Sequence, residues 1–345
     1  MRIILIGATG FIGPHVIREL INNRHTVAVY SRGSSATPLP NEAFRITGDR
    51  SQLGDQRSEL TAFRPEVVVD FILSSGRQAS ALMAVFRGMA ERIVAISSAD
   101  VYRAAGILHH HEPGPLQEVP LDEDSDLRTN HNVYGPETIR KLNAVFPWLD
   151  DEYDKIPVEQ AIMSDPDLPG TILRLPMVYG PGDRLHRLFP YLKRMDDGRP
   201  AILLQEDAAL WQGPRGYVEN VASAIALAVQ SSRAAGRIYN IAETASLKEL
   251  DWVRKIAQYA GWHGSILSLP RSIIPPHLQT PYNHQQHWSM SSHRIRQELG
   301  YKEPVDDRLA LERTIAWERG NPPAQIDATQ FDYAAEDEAI RAVSA

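Results

Sequence analysis

Three glycines near the start of the chain form a pattern that could bind a diphosphate. They are Gly7, Gly10 and Gly13, and they follow directly on the apolar residues 3–6. The first glycine permits a tight turn, the second lets a ligand phosphate approach the backbone amides, and the third lets the next helix lie close to the strand. An amphipathic run over 15–22 supplies that helix, so the sequence predicts a dinucleotide-binding turn.

A second group of polar residues suits the adenosine end of such a cofactor. Ser31 and Arg32 follow a strand predicted over 25–30, where an NAD-binding fold usually carries an acidic residue on the ribose. A cation with hydroxyl donors suits a 2′-phosphate better, so we expect NADP, with NAD possible and a solvated Arg32 as the alternative. Further along, Asp49 could accept from the adenine amino group, and we assign it and Arg50 to the cofactor.

The elements that must position these groups alternate between strands and helices. Residues 66–73 form a near-continuous apolar run, which is typical of a central parallel strand covered on both faces. A helix is predicted over 78–90 and a further strand over 92–96. This alternation indicates an α/β fold of the Rossmann type, a doubly wound parallel sheet with ligands at the carboxyl ends of its strands.

The length of the chain, 345 residues, is large for one compact core, so we expect two domains. The Rossmann domain is predicted over residues 1–175, with 215–245 returning to it. A smaller C-terminal α/β substrate domain takes 176–214 and 246–327, and residues 328–345 form an acidic tail that we expect to be mobile.

Composition excludes several classes of function. The net charge of −7, with both signs interspersed, argues against nucleic acid or an anionic membrane as the main partner. The chain has no cysteine, which excludes disulfides, thiolate catalysis and cysteine metal sites. No apolar run approaches the length of about eighteen residues that a membrane span needs, so we expect a cytoplasmic protein without a signal peptide.

A polar segment over 103–150 interrupts the alternation and has the length of a lid or binding loop. Its three consecutive histidines, His109, His110 and His111, suggest a metal site at first sight. Consecutive side chains point in different directions, however, and no histidine pair at a four-residue spacing or fixed carboxylate completes a ligand set. We therefore expect a solvated loop and no bound metal.

Four ordered motifs together resemble the extended short-chain dehydrogenases/reductases, the NAD(P)-dependent sugar epimerase/dehydratase family. The motifs are residues 7–13 (GATGFIG), 97–102 (SSADVY), 174–182 (RLPMVYGPG) and 236–241 (GRIYNI). The resemblance extends over residues 1 to about 320 and implies hydride transfer between a nicotinamide and a sugar-like polyol, expected to be a nucleotide-sugar. Whether the outcome is epimerisation, dehydration or reduction stays open. The motifs further imply cofactor contacts from Thr9, Phe11, Ile12 and Pro176.

The same resemblance implies an assembly and an alternative function. Family members usually form homodimers through two helices, which correspond here to residues 78–90 and 157–163. The alternative is a catalytically altered relative that keeps the cofactor fold and works as a binding or regulatory protein, as some RNA-associated chloroplast relatives do. The net negative charge weighs against RNA.

The family's chemistry implies a serine or threonine, a tyrosine, and a lysine four residues after the tyrosine. The hydroxyls hold a substrate oxygen, while the lysine and the oxidised nicotinamide lower the pKa of the phenol so that it can take a proton. Ser98 and Lys155 match this pattern. The tyrosine departs from it, because Asp151 stands at the expected position and Tyr153 is only two residues before the lysine.

The nearby Pro157 bears on this departure, because proline is comfortable only in the first turn of a helix. We therefore expect the helix to begin near Asp154, a good N-cap. Tyr153 would then lie just outside the helix, and the incoming loop would set the direction of its side chain. Tyr153 is our predicted acid/base. The alternatives are Asp151 and, from the long loop, Tyr134.

One further residue, Asp100, is assigned to catalysis, and two arginines are assigned to substrate binding. Asp100 stands two residues after Ser98, where family dehydratases often carry an acid that could remove a proton from the carbon next to a carbonyl; a turn cap is the alternative. Arg215 resembles the family arginine that binds the diphosphate of a nucleotide-sugar, and Arg184 adds positive potential. Surface ion pairing is the alternative for both arginines.

Overall fold

The computed structural model describes residues 1–33, 38–131 and 133–344, so Ser34 and Ser35, two of the hydroxyl donors near Arg32, lie outside the described residues. The strands are β1 Arg2–Ile6, β2 Thr26–Ser31, β3 Phe44–Thr47, β4 Val67–Asp70, β5 Arg92–Ser98, β6 Gly170–Leu175, β7 Met177–Tyr179, β8 Ala201–Gln205, β9 Arg215–Tyr217, β10 Arg237–Asn240 and β11 Ser265–Leu269. The helices are α1 Gly13–Asn22, α2 Arg57–Phe63, α3 Gly76–Phe86, α4 Arg103–Leu108, α5 Pro136–Val145, α6 Lys155–Ile162, α7 Phe189–Asp196, α8 Glu206–Leu210, α9 Val218–Gln230, α10 Glu249–Ala260, α11 His293–Leu299, α12 Asp307–Gly320 and α13 Tyr333–Ser344. Within these ranges, no helix is long and apolar enough to cross a membrane.

Seven of the strands form one sheet, in the order β10-β6-β5-β4-β1-β2-β3. Every pairing in this sheet is parallel. The chain winds outward from β1 to β3 and then crosses to β4 on the other side of β1, which makes the carboxyl ends of β1 and β4 a switch point. Ligands of doubly wound sheets bind at such a point. The predicted Rossmann-type sheet is confirmed.

The sheet is buried on both faces because successive apolar residues of each strand point to opposite sides. Ile3 and Leu5 of β1 enter one core with helices α1 and α9, whereas Ile4 and Ile6 enter a second core with α2, α3 and α6. The apolar stripe of α3, which would also suit a dimer, fills this second core of its own protomer. Its members are Ala79, Leu82, Met83 and Phe86.

A smaller unit follows the sheet and includes the parallel pair β8 and β11, with α10 packed against α7, α8 and α12. Its last helix, α13, is held by Glu336, which is completely buried and lies 2.7 Å from the guanidinium of Arg194 on α7. Of the segment expected to be a mobile tail, residues 328–331 and 333–344 are therefore helical, and α13 is docked on α7. The division into two domains stays a prediction.

Candidate active site

The glycine turn between β1 and α1 has the shape that a diphosphate requires. Gly7 has a φ of +73°, and a Cβ there would lie 2.6 Å from Ile72, while a Cβ on Gly13 would lie 2.1 Å from the carbonyl oxygen of Ala8. By contrast, a Cβ on Gly10 would meet no described atom within 4 Å apart from those of Gly10 and its two chain neighbours. No side chain caps the N-terminus of α1, and the positive end of its dipole favours an anion there. These residues fit a dinucleotide cofactor.

The other residues assigned to the turn connect it to the smaller unit. Thr9, Phe11 and Ile12 are half-buried. The ring of Phe11 lies 3.3 Å from the Cβ position of Gly182, so the turn meets the segment that follows β7. Pro176 comes directly after β6, at the carboxyl edge of the sheet. Phe11 thus lies where the turn meets the segment after β7, and Pro176 lies at the edge of the sheet where ligands are expected.

The adenosine end of the predicted site is open to solvent. Ser31 is half-buried at the end of β2, and Arg32 is exposed. The Asp49 carboxylate accepts hydrogen bonds from the Ser51 hydroxyl at 2.6 Å and the Ser51 amide at 2.8 Å. These bonds lower the pKa of Asp49, and the charge of Arg32 lowers it further. Arg32 and Asp49 therefore lie near each other with opposite charges.

Helix α6 begins where the sequence predicts. Asp154 caps it by accepting a hydrogen bond of 2.9 Å from the Ile156 amide, and Lys155 is its first residue. Pro157 falls in the first turn, where its missing amide proton leaves no intrahelical bond unmade. The side chain of Lys155 then reaches back to the carboxyl ends of the central strands.

The Lys155 ammonium is buried at the carboxyl ends of β4 and β5. It donates to the carbonyl of Leu73 at 2.5 Å and to that of Ile96 at 3.2 Å. Burial lowers the pKa of Lys155 to about 8, although the carboxylates of Asp100 and Asp70 oppose this shift. Arg50, assigned to the cofactor, instead turns inward and lies 2.5 Å from Asp70, which is completely buried at the end of β4. Lys155 is still mainly protonated at neutral pH.

The next strand, β5, ends at Ser98, whose hydroxyl accepts a hydrogen bond of 3.3 Å from the Asp100 amide. The side chain of Asp100 then turns into the protein, and the residue is only 8% exposed. Its Oδ2 accepts a hydrogen bond of 2.8 Å from the Tyr134 hydroxyl. Its Oδ1 is buried and has no partner among the residues described. Such an oxygen is a candidate acceptor for a ligand group or a proton.

Two tyrosines and a tryptophan surround these charged groups. The rings of Tyr134 and Tyr153 meet edge to face, with 5.4 Å between their centroids. The Lys155 ammonium lies 5.8 Å from the ring centre of Tyr153 and 5.3 Å from that of Trp148. Burial, and after it the charge of Asp100, raises the pKa of both phenols well above the ordinary value. Both tyrosines therefore keep their proton at neutral pH.

Of the remaining candidates from the sequence, some lie in the site and others lie outside it. Tyr134, the less favoured alternative, is brought to Asp100 by the fold of the long segment. Asp151, the other alternative, is exposed on the turn before α6. Of the consecutive histidines, His109 packs edge-on against Tyr282, with 4.9 Å between ring centres. The geometry therefore brings the second tyrosine into the site and leaves Asp151 at the surface.

Two residues that the sequence analysis did not single out complete the cluster. Arg128 donates to the backbone carbonyl of Asp100 at 2.5 Å and to the carboxylate of Asp154 at 3.3 Å. Trp148 covers the Lys155 ammonium. Neither stands in a recognisable motif, because both act through contacts that only the folded long segment creates. A hydrophobic pattern or a residue spacing could not have identified them.

The arginines assigned to the substrate differ in how much charge they leave available. Arg215 on β9 is 8% exposed, forms an ion pair with Glu249, and lies 4.9 Å from the ring centre of Trp252. Arg184 is exposed and donates one long hydrogen bond, of 3.5 Å, to the carbonyl of Val145. A substrate anion would meet the charge of Arg184 more readily than that of Arg215, which a carboxylate already neutralises.

The model of the NAD dependent epimerase/dehydratase family matches residues 3–135 and 156–242, more than half of the chain. The chain belongs to this family. It is 23% identical over 277 residues to the 2′-dehydrokanamycin reductase of Streptomyces kanamyceticus, covering 78% of this chain and 70% of that one. It is 24% identical over 255 residues to a chloroplast stem-loop binding protein of 41 kDa from Arabidopsis thaliana, covering 70% of this chain and 58% of the relative. Membership of the family makes this chain an enzyme of the NAD-dependent epimerase/dehydratase type.

The solved structure of the UDP-glucose 4-epimerase of Thermotoga maritima with UDP-glucose has the same fold. The two superpose with a TM-score of 0.63 at 18% sequence identity, over 93% of this chain and 99% of the epimerase. At this identity the likeness extends to the fold alone. The substrate must be argued from the site.

Proposed function

We propose that the protein transfers hydride between a nicotinamide cofactor and one carbon of a sugar-like polyol, so that an alcohol and a carbonyl interconvert. The observation that carries this proposal is the convergence of Ser98, Asp100, Lys155, the Tyr134 hydroxyl and the Tyr153 ring at the carboxyl ends of β4 and β5. These groups can hold a substrate oxygen and exchange its proton beside a turn that fits a dinucleotide.

Each residue has a role that its surroundings support. The hydroxyls of Ser98 and Tyr153 bind the substrate oxygen, and the buried charge of Lys155 stabilises negative charge that develops there. When bound, the cofactor supplies or accepts the hydride. Once its carboxylate is unprotonated, Asp100 can also take a proton from the carbon next to the carbonyl, which would turn oxidation into dehydration or into epimerisation at that carbon. Product analysis separates these outcomes from simple reduction.

We assign NADP as the preferred cofactor, with NAD as the alternative. Arg32 is exposed beside the end of β2, where a 2′-phosphate would need a cation, and Ser31 adds a hydroxyl. The carboxylate of Asp49 attracts the same guanidinium, so the phosphate would compete with it for Arg32. The expected preference is therefore moderate.

The substrate is proposed to be a nucleotide-sugar first and a free amino-sugar second. The exposed charge of Arg184 supports the first class, as does the UDP-glucose held by the Thermotoga epimerase. The ion pair of Arg215 with Glu249 favours the second, because that arginine is not free for a diphosphate. The name of the 2′-dehydrokanamycin reductase points to the same second class.

The assembly is proposed to be a homodimer through the outer faces of α3 and α6. The two helices pack on each other at Gly76, where a Cβ would lie 2.8 Å from Pro157. Their inner faces are packed in the core of the protomer. A partner subunit would therefore contact exposed residues such as Ala81 and Ala84.

The test is turnover with a defined panel. The protein is incubated with NADP or NAD, each in its oxidised or reduced form, and with either UDP-sugars or oxidised and reduced amino-sugars. Reduced cofactor is followed by its absorbance, and the sugar products are analysed in parallel, because epimerisation and dehydration leave the amount of reduced cofactor unchanged. We expect turnover with one class and none in the Lys155→Ala variant. Tight cofactor binding without turnover would contradict the enzyme proposal and favour the binding-protein alternative, which a stem-loop RNA binding assay then examines.

A further inference from the structure

The two oxygens of the Asp100 carboxylate have different surroundings. Oδ2 lies 2.8 Å from the Tyr134 hydroxyl, which donates to it. Oδ1 is buried without a partner among the residues described, although a charged carboxylate normally accepts several hydrogen bonds. A carboxylate that needs only to end a turn would be satisfied by backbone amides at the surface. The carboxylate of Asp100 can therefore accept a further hydrogen bond or a proton in addition to its bond from Tyr134.

The same framework that positions Lys155 also holds Tyr134. Arg128 binds the backbone carbonyl of Asp100, the carboxylate of Asp154 and, at 2.7 Å, the carbonyl of Asn130. The segment that leads to Tyr134 is thus fixed both to the end of β5 and to the N-cap of α6. Because Asp154 precedes Lys155 directly, the phenol and the ammonium are attached to one rigid set of hydrogen bonds.

The family match has a gap between these two residues. Its first part ends at residue 135, directly after Tyr134, and its second part begins at 156, directly after Lys155. The unmatched stretch contains α5 and Trp148, and its end is tied to the sheet through Asp150, which accepts from the hydroxyls of Ser74 at 3.1 Å and Ser75 at 2.6 Å. A tyrosine and a lysine that the family keeps four residues apart would be separated in this way by an insertion.

We propose that Tyr134 relays a proton between the substrate oxygen and Asp100, and that an insertion within residues 135–154 separates this tyrosine from Lys155. The inference rests on the proposed function and names the proton path of that same site. In oxidation, the O–H bond of the substrate alcohol breaks and its proton passes to the Tyr134 oxygen, while the phenol's own proton passes to Asp100. Hydride leaves the same carbon for the oxidised cofactor, and the C–O bond becomes a carbonyl.

The reverse sequence gives reduction. The proton of Asp100 passes to Tyr134, whose own proton passes to the carbonyl oxygen as hydride is added to the carbon. The phenol is neutral before and after each step, so a carboxylate beside it does not oppose the reaction as it would oppose a phenolate. Tyr153, whose ring lies next to Lys155, keeps its separate role of binding the substrate oxygen.

The kinetic test uses Tyr134→Phe, Asp100→Asn and the double variant in single-turnover experiments with the substrate found in the panel. Each single variant should slow hydride transfer by a factor on the order of 100 to 10,000, and the double variant should be no slower, because both residues serve one proton. The matched control is Tyr333→Phe. Tyr333 lies on the C-terminal helix α13, and its hydroxyl also donates to a carboxylate, that of Asp197, at 2.5 Å. Multiplicative effects, or a loss below about threefold in Tyr134→Phe, overturn the relay.

A second measurement needs no turnover. Tyrosines labelled with ¹³C at Cζ report the hydrogen bond of each phenol by NMR in the cofactor-free protein, and Tyr134→Phe assigns the signal. Asp100→Asn should shift the Tyr134 signal and leave that of Tyr333 unchanged. An unmoved Tyr134 signal overturns the relay even if the enzyme is active, whereas a shifted signal in a protein that converts no member of the panel contradicts only the proposed function.

Discussion

Lys155 should make the free protein less stable at neutral pH than at mildly alkaline pH. The ordinary pKa of a lysine, 10.5, applies to the unfolded chain, whereas burial lowers the pKa of Lys155 in the folded protein to about 8. Between these values the unfolded chain binds more protons than the folded protein, so the free energy of unfolding rises with pH. The destabilisation is fully present below pH 8 and disappears as the pH approaches 10.5.

The size of the effect follows from the two pKa values. One pKa unit corresponds to about 1.4 kcal/mol, and integration between pH 7 and pH 10 gives an increase of about 2.5 kcal/mol from this group. Lys155→Met removes the titrating group, so the unfolding free energy of the variant should rise less steeply with pH by this amount. Its stability at pH 7 is less informative, because removing the buried charge is offset by the loss of two hydrogen bonds to the carbonyls of Leu73 and Ile96.

The assay is urea denaturation of the cofactor-free protein at closely spaced pH values from 7 to 10. The quantity compared is the difference in unfolding free energy between wild type and Lys155→Met, which cancels every other group that titrates in this range. Lys302→Met is the matched control, because Lys302 is exposed and should give curves parallel to the wild type. Parallel curves for Lys155→Met as well would refute the assignment of a buried, depressed ammonium.

Four further outcomes are expected. Arg32→Ala should weaken NADP binding relative to NAD by about 10- to 100-fold, the worth of a charged phosphate contact, and an unchanged ratio by calorimetry would contradict the assignment. Tyr153→Phe should reduce kcat/KM by about tenfold through one lost hydrogen bond and should combine multiplicatively with Tyr134→Phe, so that a non-additive pair would contradict their separate roles. Glu336→Ala should destabilise the protein by about 3 to 5 kcal/mol in urea, because it leaves Arg194 buried without a carboxylate; Arg194→Met in the same chain should restore part of the loss, and failure to do so would contradict the pairing. Sedimentation at micromolar concentration should give a dimer, and a monomer would contradict the interface proposed at α3 and α6.

The sequence predicts well those features that depend on neighbours along the chain. The two-faced burial of β1 follows from its unbroken apolar run, and the start of α6 follows from the tolerance of a first helical turn for Pro157 and from Asp154 as its cap. The turn geometry follows from the glycine spacing, since Gly7 needs a positive φ and Gly13 a close approach. In each case the deciding contact lies within a few residues.

Features that depend on distant pairing could not be predicted in this way. Arg215 has the position of a phosphate-binding arginine, but its charge is met by Glu249, which lies on another element. The tail was expected to be mobile because of its acidic composition, yet Glu336 finds a buried partner in Arg194. The number of charges along the chain does not show which of them form ion pairs. The ion pairs decide whether a charged residue is available to a ligand or stabilises the fold.

Tyr134, the tyrosine proposed as the proton relay, illustrates the same limit within the site itself. A four-residue spacing carries information only while both residues lie on one helix, because helical geometry then places them on one face. In this chain Lys155 begins a helix and Tyr134 arrives on a separate segment, 21 residues earlier, so their relation is set by the contacts of Arg128 with Asp100 and Asp154. The change of backbone also changes the chemistry, since the partner of the phenol is now a carboxylate, which favours a neutral relay where a nearby ammonium would favour a phenolate.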